Sequence, residues 1–247
     1  IAFYIRRIRR IFPALLFVMA ACYAVGWSVL FADEFRQLGK HVAGGAGFVS
    51  NLILWGESGY FDAAARSKPL LHLWSLGIEE QFYLVWPLIL AGAWKSRNQV
   101  REILLFLFIA SFALNLATLN DADAAFYSPL ARFWELLVGA LLAHLRAAQA
   151  DSAHALENRY GDWLSIGGAV LILASLALVS KEHPLHGIRM ILPTLGADLV
   201  IDAGDRARLN RLFLANAPMV WIGLISYPLY LWHWPLLSYA QILEGGA

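Results

Sequence analysis

The chain has 247 residues, of which 60% are hydrophobic and only 15% are charged. Its mean hydropathy of +0.58 is well above that of an ordinary soluble domain, so lipid is the expected solvent. The net charge of +1 gives no broad basic field, which excludes nucleic acid as an expected partner. The single cysteine, Cys22, excludes an internal disulfide and a cysteine-based metal cluster, and we expect no metal site.

Six segments have the length and apolar character of membrane-spanning helices, which need about 20 apolar residues to cross a bilayer core. They are residues 11–31, 70–94, 103–119, 128–145, 163–180 and 212–243. Two weaker segments, 42–56 and 190–201, are short, interrupted by glycine or carry Asp198. Each of these two fits a short span, a re-entrant segment or an interfacial helix. We therefore predict an all-α, polytopic transmembrane bundle of seven or eight helices.

The amino-terminal segment carries an arginine cluster directly before the first hydrophobic run, formed by Arg6, Arg7, Arg9 and Arg10. By the positive-inside rule this cluster lies in the cytoplasm and the first span runs outwards. The arginines serve either as topogenic charge alone or as contacts for the phosphates of a cytoplasmic donor. The chain starts at Ile1 without a signal-peptide pattern, so we expect it to be cut from a longer protein.

The most informative segment, residues 68–87, reads KPLLHLWSLGIEEQFYLVWP and places ionisable residues in a hydrophobic helix. Such groups cost about 2.5–3.5 kcal/mol each at the bilayer centre, so they usually face a cavity or a partner. His72 and Glu79 are spaced to share one helix face, and Ser75 and Tyr83 lie near the same stripe. The alternatives are that Glu79 or Glu80 merely pairs with an arginine, and that His72 is interfacial.

Two further segments carry candidate site residues. Arg132 precedes Glu135 by three positions, so its guanidinium can grip a phosphate or simply pair with that carboxylate. The stretch WIGLISYPLYLWHWPLL places Ser226, Tyr230 and His233 on one helix face, with an interfacial aromatic belt as the competing interpretation. The sequence has no Walker A motif, dinucleotide fingerprint or G-x-S-x-G elbow, so ATP-driven transport and hydrolase chemistry have no local support.

Four strings occur in the order FYIRRIRRIFPA, LLHLWSLGIEEQFYLVWP, ARFWELLVGALL and ISYPLYLWHWPLL. Together they resemble the acyltransferase-3 family of bacterial membrane acyltransferases. The W-S-L-x-x-E-x-Q-F-Y element that begins at Trp74 is the most specific match, followed by the S-Y-x-x-Y-L-x-H-x-P element of residues 226–235. The resemblance implies one membrane domain over residues 1–247.

The resemblance also implies parts that the chain lacks. Family members begin with two further helices, the first of which bears a histidine thought to be catalytic, so the chain alone should be inactive. Some members carry an extracytoplasmic hydrolase-like domain of the SGNH type, which is also lacking here.

The function implied by the resemblance is transfer of an acyl group, usually acetyl, to hydroxyls of O-antigen, peptidoglycan or exopolysaccharide. Acetyl-coenzyme A would be the donor substrate, with no permanently bound cofactor. The expected partners are this acyl-coenzyme A, a lipid-linked or surface glycan and membrane lipid. The expected location is the bacterial inner membrane, as a multi-pass protein.

The resemblance also assigns roles to the candidate residues. The expected catalytic residues are His72, Ser75, Glu79, Tyr83, Tyr230 and His233, and the expected donor-binding residues are Arg6, Arg7, Arg9, Arg10 and Arg132. A histidine–carboxylate system would accept the hydroxyl proton, while tyrosine or serine hydroxyls would stabilise the oxyanion. A proton-coupled transporter or glycan flippase is the competing function, since such carriers use the same residue types inside the membrane.

Overall fold

The computed structural model describes residues 2–58, 67–93, 99–148, 150–178 and 187–245. All of the regular structure in these ranges is helical, which confirms the all-α prediction. The α-helices are α1 (Ala2–Val29), α2 (Ala32–Ala46), α3 (Ser50–Glu57), α4 (Leu73–Ala93), α5 (Val100–Ala117), α6 (Ala122–Tyr127), α7 (Pro129–Ala148), α8 (Ala150–Ala177), α9 (Ile191–Asp202) and α10 (Ala217–Leu243). A 3₁₀-helix, Gly187–Met190, precedes α9, and a π-helix, Asn210–Leu214, precedes α10. The last residues of two predicted spans, Trp94 and Ser180, lie outside the described ranges.

Three of the described helical stretches are long and apolar enough to cross a membrane, judged by length and composition alone. They are Ala2–Val29, Val100–Ala117 and Tyr160–Ala177. The count of seven or eight spans stays a prediction. The weaker segment 190–201 forms α9, whose 12 residues rise about 18 Å, less than the roughly 30 Å of a bilayer core.

The first helix is longer than the hydrophobic run that predicts it. It begins at Ala2, so the arginine cluster forms its first turns rather than an approach to it. Pro13 consequently lies inside the helix. Because proline has no N–H, α1 lacks one backbone hydrogen bond at this point.

The described residues form two compact units. The first unit comprises Ile1–Leu88, Tyr127–Pro129 and Leu224–Ala247, and the second comprises Ile89–Phe126 and Leu130–Gly223. The expectation of a single acyltransferase domain stays a prediction.

The core of the first unit forms around the apolar face of α1. Ile11, Leu15 and Val18 of this face are buried and pack with Leu73 and Leu231 in one cluster. Their spacing of four and three residues is that of a single helical stripe, which explains why α1 buries this side.

Helices α1 and α10 lie side by side in the first unit. The hydroxyl of Tyr227 donates to the carbonyl of Ile11 at 3.1 Å, and the hydroxyl of Tyr239 donates to the carbonyl of Cys22 at 2.5 Å. From the first contact to the second, the position in α10 moves from Tyr227 to Tyr239 and the position in α1 moves from Ile11 to Cys22. The helices α1 and α10 therefore run in the same direction.

Helices α2 and α3 form a hairpin, and this settles the structure of segment 42–56. The helices break at residues 47–49, where Phe48 has a φ of 54°, in the left-handed region that side chains rarely adopt. Gly44 permits the close packing, because a Cβ there would lie 2.4 Å from Ile53. Glu57 at the end of α3 returns to Lys40 and His41 of α2. The segment is therefore a hairpin rather than a single straight span, and its placement in the membrane stays a prediction.

The amide of Gln81 holds the tip of this hairpin against α4. Its Nε2 donates to the carbonyl of Phe48 and to Oδ1 of Asn51, both at 2.8 Å. Asn51 is fully buried and donates onward to the carbonyl of Tyr127 at 3.1 Å. The glutamine of the most specific family element thus has a structural role.

The second unit is held by close helix contact and by buried polar side chains. Gly168 of α8 and Gly196 of α9 face each other so closely that a Cβ on either would lie under 3 Å from the other's carbonyl oxygen. Ser165, which is fully buried, donates to Oδ1 of Asn210 at 2.7 Å. Arg146 forms an ion pair with Asp202 at 2.7 Å. These contacts join α7, α8, α9 and the π-helix.

Candidate active site

The first unit brings together residues from two of the predicted motifs. His72 lies immediately before α4, and its ring centroid is 5.2 Å from that of Tyr230 and 5.5 Å from that of His233, both in α10. Ser75 of α4 places its Oγ 3.0 Å from the hydroxyl of Tyr230. We call these four residues, His72, Ser75, Tyr230 and His233, the imidazole–hydroxyl cluster.

The hydroxyl groups of this cluster converge on the backbone carbonyl of His72. Tyr230 donates to this carbonyl at 2.6 Å, and Ser75 Oγ lies 3.4 Å from it. The two hydroxyl oxygens are themselves 3.0 Å apart. To stabilise an oxyanion here, the Tyr230 hydroxyl would have to turn its hydrogen bond from the His72 carbonyl to the oxyanion.

The two histidines of the cluster differ in their surroundings. Nδ1 of His233 lies 2.6 Å from the carbonyl of Tyr230, so it carries the proton, and neutral His233 presents the lone pair of Nε2. The ring of His72 is buried, and neither of its nitrogens makes a hydrogen bond within the described part of the chain. His233 therefore presents an acceptor nitrogen, while both ring nitrogens of His72 are buried beside it.

The residues of the predicted polar stripe along α4 differ in their surroundings. Tyr83 packs against Arg7 at the amino end of α1, where the guanidinium lies 3.5 Å from the ring centroid. Glu79 is exposed, whereas His72, directly before the first residue of the regular helix, is buried. The catalytic roles of His72, Glu79 and Tyr83 stay predictions.

Glu80 is held by an arginine, as the alternative interpretation expected. Nε of Arg7 lies 2.8 and 3.0 Å from its two carboxylate oxygens. The other three arginines of the cluster, Arg6, Arg9 and Arg10, are exposed on α1. Three guanidinium groups therefore remain accessible at this end of the helix.

Arg132 pairs with Glu135 within the second unit. Nε and Nη2 of Arg132 donate to the two carboxylate oxygens at 3.1 and 2.9 Å, a two-pronged contact along α7. Both side chains are less than 20% exposed. The intrahelical pair that the spacing allows is therefore formed, and donor binding by Arg132 stays a prediction.

A cavity of about 300 Å³ opens beside the Arg7–Glu80 pair in the first unit. Phe12 and Ile8 of α1, Phe48 at the hairpin tip and Leu84 of α4 contribute to its largely apolar wall. It has the size and lining of a site for an extended, mostly apolar ligand arm.

A second polar cluster in the first unit was not predicted from the sequence. Glu57 accepts hydrogen bonds from Lys40 at 2.8 Å, from His41 at 2.8 Å and from Lys68 at 3.3 Å. Gln37 donates to the same carboxylate at 3.3 Å. These residues come from three places in the chain, and of them Lys68 alone lies in the segment 68–87 that contains His72. The one available signal was an acidic residue at the end of a short apolar segment.

The structure of this second cluster shifts the pKa values of two of its ionisable groups. Burial opposes ionisation of Glu57, but the hydrogen bonds from Lys40 and His41 outweigh it and hold the pKa of the carboxyl at about 2. Burial also lowers the pKa of His41, although its contact with Glu57 works in the opposite direction. Glu57 is therefore ionised and His41 is neutral near pH 7.

An all-helical fold with candidate spans and an imidazole–hydroxyl cluster between its helices is that of a membrane protein with an internal polar site. The sequence profile described as Acyltransferase domain, of the acyltransferase-3 type, matches residues 1–244. The chain belongs to this acyltransferase family, which confirms the resemblance carried by its four strings. None of the solved protein structures matches the chain.

Three relatives illustrate the range of the similarity. A protein of Haemophilus influenzae, whose name states no function, is 35% identical over 81% of this chain and 84% of its own length. The putative peptidoglycan O-acetyltransferase YrhL of Bacillus subtilis is 30% identical over 95% of this chain and 39% of its own length. The peptidoglycan O-acetyltransferase OatA of Listeria monocytogenes is 31% identical, over 96% and 40%. The chain thus spans about two-fifths of the length of these two named acetyltransferases.

Proposed function

We propose that the chain forms the membrane part of an O-acetyltransferase that moves an acetyl group from acyl-coenzyme A to hydroxyls of a cell-surface glycan. The observation that carries this proposal is the meeting of His72 and Ser75 with Tyr230 and His233 in a chain of the acyltransferase family. The names of the Bacillus and Listeria relatives support peptidoglycan as the acceptor.

The imidazole–hydroxyl cluster provides two of the functions that acyl transfer requires. An acyl carbon under attack develops an oxyanion, which the Tyr230 or Ser75 hydroxyl would stabilise by hydrogen bonding. The His233 imidazole would take the proton of the attacking glycan hydroxyl on Nε2 and pass it to the leaving thiolate. His72 packs against both Tyr230 and His233 and would position them.

The donor would enter from the end of the first unit that carries the arginines. Arg6, Arg9 and Arg10 are exposed there and would bind the phosphates of coenzyme A. The cavity of about 300 Å³ beside Arg7 would take the less polar arm of the donor. On the positive-inside rule this end faces the cytoplasm of a bacterial cell and the protein crosses the inner membrane several times.

The test is the acetyl content of the surface glycan in cells with and without the full-length gene. We expect base-labile acetyl groups to appear with the gene. His233→Gln should reduce them about 100-fold, the usual scale for loss of a general acid–base group. His144→Gln in α7 is the matched control, since it makes the same exchange outside the cluster. Equal acetyl content in the His233→Gln strain and the wild type would refute this role of the cluster.

Purified protein reconstituted in vesicles distinguishes a transferase from a transporter. A transporter or flippase would move the donor or the glycan across a vesicle membrane without forming an ester. Reconstituted protein supplied with radiolabelled acetyl-coenzyme A should instead transfer the label to glycan in a base-labile bond. Transport of intact donor with no labelled glycan would favour the carrier interpretation.

A further inference from the structure

The hairpin tip between α2 and α3 carries an aromatic residue at a position that favours glycine. Phe48 has a φ of 54°, a left-handed conformation that is an outlier for a bulky residue. Glycine adopts this conformation without steric cost, and the same segment already contains Gly44, Gly45 and Gly47. The chain therefore keeps a phenylalanine ring at this point although the backbone that carries it is strained.

Several contacts hold Phe48 in this conformation. Its N–H donates to the carbonyl of Gly45 at 3.2 Å, and its carbonyl accepts the hydrogen bond from the Gln81 amide at 2.8 Å. Helix α4 approaches the same carbonyl so closely that a Cβ at Gly77 would lie 3.2 Å from its oxygen. Strained residues persist where the surrounding structure determines them, and they are concentrated at active sites and ligand clamps. Phe48 is therefore a candidate for a role in ligand binding.

The ring of Phe48 packs on the ring of Phe12 in the wall of the cavity of about 300 Å³. Both residues border this cavity, and their ring centroids are 5.3 Å apart with an interplanar angle of 86°. Edge-to-face contact of this kind is a favoured arrangement of two aromatic rings. Phe48 also packs against the core cluster of the first unit, which supports the ring from behind. We call Phe12 and Phe48 the aromatic pair.

The aromatic pair lies at the inner end of the cavity. The residues of α1 that border the cavity are Tyr4, Arg7, Ile8, Ile11 and Phe12. From position 4 to position 12 the helix rises about 12 Å, so the cavity follows α1 over this distance. The donor would enter from the arginine end of α1, and Phe12 is the bordering residue of α1 farthest from that end.

The imidazole–hydroxyl cluster lies slightly further along in the same direction. The hydroxyl of Tyr227 donates to the carbonyl of Ile11, so these two residues lie at the same level of the parallel helices α1 and α10. Tyr230 follows three residues later in α10, a rise of about 4.5 Å. An acyl group bound at the cluster would therefore lie close to the level of the aromatic pair, with the rest of the donor arm extending back towards the arginines.

We propose that Phe48, held against Phe12, is a specificity-determining residue that limits the acyl group of the donor to acetyl or a group of similar size. This inference rests on the proposed O-acetyltransferase function. The strained and hydrogen-bonded backbone fixes where the ring of Phe48 lies, so the ring does not move aside as a flexible side chain would. A longer acyl chain would have to displace the aromatic pair, and forcing extra methylenes into packed side chains is unfavourable.

The test measures kcat/KM of the reconstituted full-length protein with acetyl-coenzyme A and butyryl-coenzyme A and the same glycan acceptor. One methylene in a hydrophobic pocket changes kcat/KM by about 10- to 200-fold, so the wild type should prefer acetyl over butyryl by about 100-fold or more. In Phe48→Ala this preference should fall to about 10-fold or less, because the ring that excludes the two added methylenes is gone.

Phe48→Gly separates the effect of the ring from that of the backbone. It removes the ring and relieves the strain, so it should lower the acyl preference as Phe48→Ala does while its free energy of unfolding exceeds that of Phe48→Ala. Phe17→Ala is the matched control, since it truncates an exposed ring of α1 that contacts Trp232, and it should keep the wild-type preference. The readout is a ratio of two kcat/KM values from one preparation, so a lower protein level does not imitate the result.

The wild-type preference in both Phe48 variants would overturn the role of Phe48 while leaving the transferase function intact. An equal loss of preference in Phe17→Ala would also overturn it, because the effect would then not depend on the cavity. If neither Phe48 variant transfers acetyl, Phe12→Ala supplies the same measurement without a change in the hairpin, and the wild-type preference in it would overturn the proposal. Absence of acetyl transfer by the wild type would instead refute the proposed function.

Discussion

The ion pair between Arg7 and Glu80 is the place where a structural role and a donor-binding role can be separated most sharply. Three contacts join the two groups, with Nε–O distances of 2.8 and 3.0 Å and an Nη2–O distance of 2.6 Å. The Glu80 side chain is 9% exposed and that of Arg7 is 24% exposed. The guanidinium also packs on the ring of Tyr83.

The expected cost follows from this partial burial. Breaking a buried ion pair by removing one partner costs about 3–5 kcal/mol. Because Arg7 keeps some access to solvent, we expect Arg7→Leu and Glu80→Leu each to lower the free energy of unfolding by about 2–3 kcal/mol. Replacing both partners by apolar residues is often near neutral, so the double variant should recover most of the loss. The coupling energy of the cycle should then be about 2 kcal/mol or more.

The assay combines unfolding of the purified full-length protein in detergent with acetyl-transfer kinetics. If Arg7 also binds a donor phosphate, the double variant should regain stability but show a KM for acetyl-coenzyme A raised about 10-fold, the scale of one lost charge-assisted hydrogen bond. A wild-type KM in the stable double variant would remove Arg7 from the donor site.

Arg10→Gln is the stability control, since Arg10 is exposed on the same helix and should change the free energy of unfolding by less than about 0.5 kcal/mol. The reasoning is refuted if the two single changes each cost less than this amount and simply add in the double variant. Such a result would mean that the pair contributes nothing to folding of the first unit.

Three further predictions follow from other contacts. Gln81→Leu removes two hydrogen bonds from the hairpin tip and should lower the free energy of unfolding by about 2–4 kcal/mol in the same assay. An unchanged unfolding midpoint would contradict the structural role of Gln81. Arg132→Lys should raise the KM for acetyl-coenzyme A by about 10-fold if Arg132 grips the donor, whereas high activity of the double change Arg132→Leu with Glu135→Leu would show that it only pairs. The pKa of Glu57 is lowered from 4.5 to about 2 by folding, so its stabilising effect is present above pH 4.5 and is lost as the pH falls towards 2. Glu57→Gln should abolish this part of the acid sensitivity, measured as the unfolding midpoint against pH, and an identical profile would exclude the contribution.

The sequence was enough to predict the class of the protein and the residues of the imidazole–hydroxyl cluster. Long uncharged runs require helices in lipid because no other unit satisfies its own backbone hydrogen bonds, and the described residues are helical accordingly. The order of the four strings identified the family. Local motifs also marked His72, Ser75, Tyr230 and His233, which the first unit brings together.

The contacts between residues outside these motifs are determined by the tertiary structure and could not be predicted from the sequence. The break at Phe48 turns an apparent weak span into a hairpin, and only that turn brings Glu57 back to His41 and Lys40. Helical periodicity relates residues within one helix, so it could not join groups from three places in the chain. Periodicity and motif order thus determined the helices and the family, whereas chain reversals determined which charges meet.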